Sequence, residues 1–171
     1  MAENGSTNLT VTNGIGTITF SHPKSNSLPG DLLKRIAKEV ENAGKNDEIK
    51  VIVLQSSGEK AFCAGASFEE LSSITTFETG KEFFMGFGGF IIAMKNCPKF
   101  IITRVQGKAV GGAVGIIAAS DYVLAIDTAG IKLSELALGI GPFVIGPAVN
   151  RKAGLSAFNQ LAISADWFSA Q

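Results

Sequence analysis

The 171-residue sequence has a single histidine and only two cysteines, Cys63 and Cys97. Those thiols fit no Cys-x-x-Cys or other metal-ligand spacing, so no His/Cys metal site can be assembled, and a reducing, cytoplasmic setting is the simplest expectation. An excess of charge of one sign is also lacking, because fifteen basic residues balance fifteen acidic ones. No overall field therefore draws the chain to nucleic acid or to an anionic membrane surface. The amino terminus, MAENGSTN, carries neither the basic segment nor the apolar segment of a signal peptide. The longest apolar run, Leu136 to Val149, is broken by glycines and prolines and is no candidate membrane span. A soluble protein is expected. With 46% hydrophobic and 18% charged residues, the composition is globular and sufficient for one core, so residues 1–171 are expected to form a single domain.

Alternating apolar residues in Leu9 to Thr12 and Ile15 to Phe20, separated by Asn13-Gly14, predict a β-hairpin. A polar loop, Ser21 to Leu28, leads through Pro29 into LLKRIAKEVENA, whose apolar spacing is helical and which Gly44 is expected to end. Val51 to Leu54 reads as a buried strand, giving a strand, helix, parallel-strand order. Ala61 to Ala66 is too short and too rich in small residues for a helix, and it follows the carboxyl end of that strand, where open α/β sheets place ligands. Ser67-Phe68-Glu69-Glu70 has the form of a capping box. Phe77 to Asn96 reads as a helix with Phe83, Phe84, Phe87 and Phe90 on one stripe expected to be core, with lining of a binding pocket as the lesser alternative, although Gly86, Gly88 and Gly89 suggest bending or close packing. Phe100 to Val105 is a further strand, Tyr122 to Ile126 a buried one, Ile131 to Leu133 a short extended piece, and two helices follow near 148–153 and 155–163.

The stretch from Gly107 to Glu135 carries the chemistry. Gly111-Gly112 opens a small-residue helix, and a helix N-terminus presents free N–H groups and a dipole that favour an anion. A lone Gly-Gly pair more often serves close backbone packing; what changes that reading is the company it keeps. PKSNSL (23–28), KAFCAGAS (60–67) and VQGKAVGGAVGIIAASD (105–121) resemble, in the same order, the Pro…Asn-Ala-Leu, Lys-Ala-Phe-x-Ala-Gly-Ala-Asp and Asn-Gly-x-Ala-x-Gly-Gly-Gly segments of the crotonase (enoyl-CoA hydratase/isomerase) superfamily. LSELALG (133–139) and GPFVIGP (141–147) are most similar to the bacterial methylglutaconyl-CoA hydratases within it.

The resemblance implies an α/β fold, a crotonase-like spiral of ββα units with mainly parallel sheets flanked by helices. It implies an acyl-CoA thioester as partner, with coenzyme A part of the substrate and no separate cofactor. By motif, the N–H groups of Ala66 and Gly112 would polarise the thioester carbonyl and Glu135 would transfer protons, its pKa raised by an apolar wall such as Phe143 or Leu133. Substrate contacts are expected from Lys24, Asn26, Leu28, Ala64, Gly65, Ser67, Phe68, Gly111, Gly115 and Phe143, with Lys24 placed to meet a phosphate or else simply exposed.

Gly115 stands where two-glutamate hydratases carry their first glutamate, and a glycine cannot activate water. Glu135 alone would then manage both protons of a syn hydration, or would only shuttle a proton between carbons as an isomerase does. A non-catalytic acyl-CoA-binding protein, and hydrolysis or decarboxylation on the oxyanion donors alone, are further readings. Ser67 replaces the usual aspartate but is an equally good N-cap. His22 is expected to be solvated, Cys63 a buried filler, and Trp167 a packing residue of the terminal helix. Family members continue past the segment matching Ser169 to Gln171 into helices that cover the site and build a trimer. A homotrimer or hexamer is thus implied for a chain that carries them, and uncovered apolar surface for one that does not.

Overall fold

The computed structural model describes residues 4–170 and has a five-stranded and a four-stranded sheet with helices packed between and around them. Strands β1 (Ser6–Thr12) and β2 (Ile15–Ser21) form the expected hairpin, with Ser6 opposite Ser21 and Thr12 opposite Ile15. Asn13 and Gly14 both take positive φ, 51° and 80°, as a two-residue turn of this hand requires. Strand β3 (Val51–Ser56) lies parallel to β2, β5 (Ile101–Val105) parallel to β3, and β7 (Tyr122–Ala125) parallel to β5. The second sheet runs β4 (Ala61–Cys63), β6 (Lys108–Val110), β8 (Gly130–Lys132), β9 (Phe168–Ser169), with only the last pair antiparallel. Neither β6 nor β9 is legible as a strand in the sequence, because each is so short that partner strands rather than its own residues define it.

Helix α1 (Gly30–Lys45) buries Leu32, Leu33, Ile36 and Val40, a spacing of one face per turn. Each of those side chains contributes about 1.5–3 kcal/mol relative to exposure. Gly44 does not end the helix; it is buried inside the last turn, where a Cβ would lie 3.2 Å from Pro98 and 3.3 Å from Cys97. Helix α3 (Phe77–Asn96) runs unbroken across Gly86, Gly88 and Gly89, and Gly86 brings it against Leu33 of α1. Gly86 and Gly88 serve close packing, whereas a Cβ on Gly89 would meet nothing within 4 Å.

Helix α2 (Phe68–Ser72) starts at Ser67, whose hydroxyl accepts the Glu70 N–H at 3.3 Å. The other half of the expected capping box is absent. The Glu70 carboxylate instead accepts the Gly30 N–H, at 2.9 and 3.2 Å, and so ties α2 to the start of α1. Helix α4 (Gly112–Ala119) is nearly all buried, and α5 (Gly146–Ala153) and α6 (Leu155–Ser164) pack beyond it. Strand β7 corrects the expectation of a buried strand: it is the sheet's edge, with Tyr122 62% and Leu124 56% exposed. Trp167 meets the second sheet: Lys108 Nζ lies 4.8 Å from its ring centroid and its indole abuts Gly130. No helix among the described residues is long and apolar enough to cross a membrane.

Candidate active site

The Ala61 to Ser67 segment leaves β4 and turns sharply at Gly65, whose φ of +94° and 2.9 Å approach to the Val110 carbonyl oxygen at the Cβ position admit no side chain. Its N–H groups are used in a telling order. That of Ala64 bonds the Ser25 carbonyl at 3.1 Å, and that of Gly65 bonds Cys63 Sγ at 3.3 Å. Ala66 joins an isolated parallel bridge with Leu28, in which Leu28 N–H donates to the Gly65 carbonyl at 2.8 Å. The Ala66 N–H has no partner among the described residues.

The second segment repeats the pattern. Gly111, at φ +56°, spends its N–H on the Lys132 carbonyl at 2.8 Å, while Gly112 opens α4 with its N–H unspent among the described residues. A Cβ on Gly112 would lie 2.4 Å from the Phe87 ring, so that ring seals the backbone at this donor. Two unpartnered N–H groups therefore sit on the wall of one cleft.

Glu135 precedes a short 3-10 turn (Leu136–Leu138) after β8. Its carboxyl lies against Gly111, where a Cβ would come within 3.3 Å of Oε1. Oε2 is buried with no hydrogen-bond partner. Burial pushes the carboxyl pKa above its ordinary value, opposed in part by the backbone N–H groups of Glu135 and Ser134. A buried, partnerless carboxylate oxygen beside two unused donors is an arrangement that folding alone disfavours.

These three groups share a cleft of about 190 Å³ lined also by Ala64, Gly65, Ser67, Phe68 and Gly111. Apart from Ser134, the rest of its wall is apolar, chiefly Leu71, Phe83, Phe84, Phe87, Leu138, Ile140, Pro142, Val144 and Ile145. The phenylalanine stripe thus divides. Phe90 is core, whereas Phe83 and Phe84, paired edge to face at 5.1 Å, face the cleft. Helical spacing alone could not separate those roles, since what covers the stripe comes from the distant 138–145 loop.

Several expected substrate residues lie elsewhere. Phe143 is 84% exposed and Leu133 fully buried in the core; neither forms the apolar wall beside Glu135. Gly115 lies outside the lining because Ile145 fills its place: a Cβ there would meet Ile145 side-chain atoms at 2.5 and 2.6 Å. Asn26 is buried and works as a staple, donating to the carbonyls of Ser57 (2.8 Å) and Ala61 (3.0 Å) and accepting the His22 N–H (3.0 Å). Leu28 is fully buried and holds Gly65. Lys24, outside the cleft, pairs with Glu69, and both side chains are largely exposed.

His22 is half-buried, its Nδ1 accepting the Lys24 N–H at 3.2 Å, and burial together with Lys24 lowers its pKa. Cys63 is completely buried and its thiol is pushed up to about 12, which makes it unreactive.

A mainly parallel α/β fold of this kind, with two free backbone donors and a desolvated carboxyl group lining one cleft, is of the crotonase type. Residues 10–171 match the family model for enoyl-CoA hydratase/isomerase, and the chain belongs to that family. It is 29% identical over 153 residues to a short-chain-enoyl-CoA hydratase of Clostridium acetobutylicum, covering 88% of this chain and 58% of that protein. It is 30% identical over 141 residues to human mitochondrial methylglutaconyl-CoA hydratase, covering 82% and 41% respectively. The crystal structure of an enoyl-CoA hydratase from Shewanella pealeana superposes with a TM-score of 0.91 at 27% identity, over 96% of this chain and 63% of that one. The chain spans about half the length of the curated relatives it matches.

Proposed function

We propose that this protein acts on an enoyl-CoA thioester, adding water syn across the double bond of a 2-enoyl-CoA. The observation that carries the reading is the buried, partnerless Oε2 of Glu135 in the same cleft as the unspent N–H groups of Ala66 and Gly112. The thioester oxygen would sit between the two donors. As water adds at Cβ, Glu135 takes its proton and charge moves onto the thioester oxygen as an enolate. The protonated Glu135 then returns that proton to Cα and the carbonyl re-forms. Each donor is worth about 2.7–4 kcal/mol of transition-state stabilisation. Coenzyme A enters as part of the substrate and the reaction draws on no further cofactor, in keeping with a cytoplasmic setting.

The packing of Ile145 over Gly115 favours a second reading. With an apolar side chain where a second carboxylate would project, Glu135 could serve only to carry a proton from Cα to Cγ of a 3-enoyl-CoA, an isomerisation that needs no water. Assembly into trimers or hexamers, for a chain that carries the family's C-terminal helices, belongs to the same proposal. One assay separates the chemistries: hydration removes the conjugated-thioester absorbance of crotonyl-CoA, whereas isomerisation creates it from a 3-enoyl-CoA. Turnover of neither substrate, or turnover unchanged in Glu135→Gln, overturns the proposal.

A further inference from the structure

The chemistry of the cleft wall extends the proposed reading, on which it rests, to the kind of acyl group accepted. Among the described residues the lining contains no lysine, arginine or histidine, and its one charged side chain is Glu135. Its only other polar side chains are Ser67 and Ser134. The Ser67 hydroxyl accepts the Glu70 N–H as helix cap and that of Ser134 lies beside Gly111; both are neutral and supply no positive charge. The short helix α2 offers no compensating positive end, since Glu69 and Glu70 occupy its first turn and Lys24 pairs with Glu69 outside the cleft. The Gly112 end of α4 is taken by the thioester oxygen.

A second carboxylate, carried at the far end of the acyl chain, would therefore leave water for a wall of Phe83, Phe84, Leu71, Ile140 and Val144 with no cation to meet it, and would share the cleft with Glu135. Burying an unpaired carboxylate is strongly unfavourable, and like charge in one cleft adds to it. From this we infer that the protein selects uncharged, apolar acyl groups and rejects acyl groups ending in a carboxylate. That separates it in substrate from the methylglutaconyl-CoA hydratases its sequence resembles, because a methylglutaconyl group carries such a carboxylate.

The test uses binding, which needs no turnover. Calorimetry with pentanoyl-CoA and glutaryl-CoA compares two five-carbon acyl groups that differ only in a terminal methyl or carboxylate. Glutaryl-CoA is expected to bind about 100-fold or more weaker. Leu71→Arg, placing a cation on the apolar wall, is expected to narrow that gap at least tenfold by strengthening glutaryl-CoA binding, with circular dichroism checking that the fold is kept. Equal affinities for the two ligands in the wild-type protein overturn the inference while leaving the acyl-CoA site standing. A protein that binds neither ligand removes the acyl-CoA reading itself, and this inference with it.

Discussion

Asn26 and Glu135 are both polar side chains held inside the protein, and they end in opposite conditions. Asn26 uses both its amide hydrogens and its oxygen, stapling the Ser21 to Leu28 loop to Ser57, Ala61 and His22. Glu135 leaves Oε2 buried and unpaired, and two N–H groups on the wall of its cleft are likewise unspent. Satisfaction marks Asn26 as architecture, because a buried amide with its partners met has nothing left to offer a ligand. An orphaned oxygen is not sufficient by itself to mark function, for Gln106 Oε1 and Thr7 Oγ1 are also buried without partners. Those two are neutral and lie outside the cleft. What distinguishes Glu135 is that its orphan atom belongs to an ionisable group, in a residue that lines the cleft. The two regions are nevertheless coupled, since the Ser25 carbonyl and the Leu28 N–H fix the very loop that presents Ala66.

Glu135→Gln should break the comparison most severely on the catalytic side. Turnover is expected to fall about 10²–10⁴-fold, read as kcat/KM by loss of conjugated-thioester absorbance. Stability should not fall with it. Burial raises the Glu135 pKa above its ordinary 4.5, so the folded state holds a proton more tightly than the unfolded chain does. This group's contribution therefore declines as pH rises from the unfolded value through the raised one, and the neutral amide escapes that loss. At pH 7 the variant should melt no lower than wild type. By the same shift, the acid limb of the kcat/KM profile should lie above pH 4.5, because the working base must be ionised.

Next in size is Gly112→Ala. Its new methyl group would fall 2.4 Å from the Phe87 ring. The crowding should cost about 1–3 kcal/mol of stability, and misplacing the donor should cost up to about 10³-fold in kcat. If packing is the cause, Phe87→Leu in the same chain recovers part of both. A substitution without effect on kcat would remove Gly112 from the site. Asn26→Ala should do the reverse of Glu135→Gln: it strands the Ser57 carbonyl and the His22 N–H, while the Ala61 carbonyl keeps Gln106 Nε2, lowering stability by about 1–3 kcal/mol in denaturant titration, with a smaller loss of turnover transmitted through Ala66.

The contrast between the two regions was partly readable without coordinates. The hairpin and the Phe77 to Asn96 helix are set by short-range signals, a two-residue turn and an apolar spacing, whereas Ala66, Gly112 and Glu135 are singled out only by the resemblance of their segments to a known family. What escaped depends on neighbours far away in the chain. Five apolar residues at 122–126 specify a strand but not what covers it, and here the outer face of β7 is bare. Phe143 looked like a wall for Glu135, yet the 138–145 loop turns Val144 and Ile145 inward and leaves Phe143 in solvent. Gly115 read as a missing carboxylate, whereas the structure shows a packed pair, since Ile145 supplies the volume that the glycine lacks. Asn26 matched a ligand-binding segment by motif, and only its three hydrogen bonds reveal that its contribution is to hold the loop.

The smallest expected effect bears on whether the architectural loop touches substrate at all. Lys24 is the one cation in the Ser21 to Leu28 loop, and its partner Glu69 lies in the first turn of α2, beside the cleft-lining Phe68. The pair is exposed, so Lys24→Ala should leave the melting temperature unchanged. The ammonium holds the Glu69 carboxyl below its ordinary range, and a coenzyme A phosphate would have to compete with that carboxylate for it. Were it to do so, Lys24→Ala would raise KM by up to about tenfold with kcat intact, and the effect would shrink as salt is added, because exposed charges are screened beyond about 10 Å at 0.1 M. An unchanged KM at low salt would confine the whole loop to architecture. A salt-sensitive rise would instead make it a shared element, holding Ala66 from behind through Ser25 and Leu28 while meeting the nucleotide end of the substrate in front.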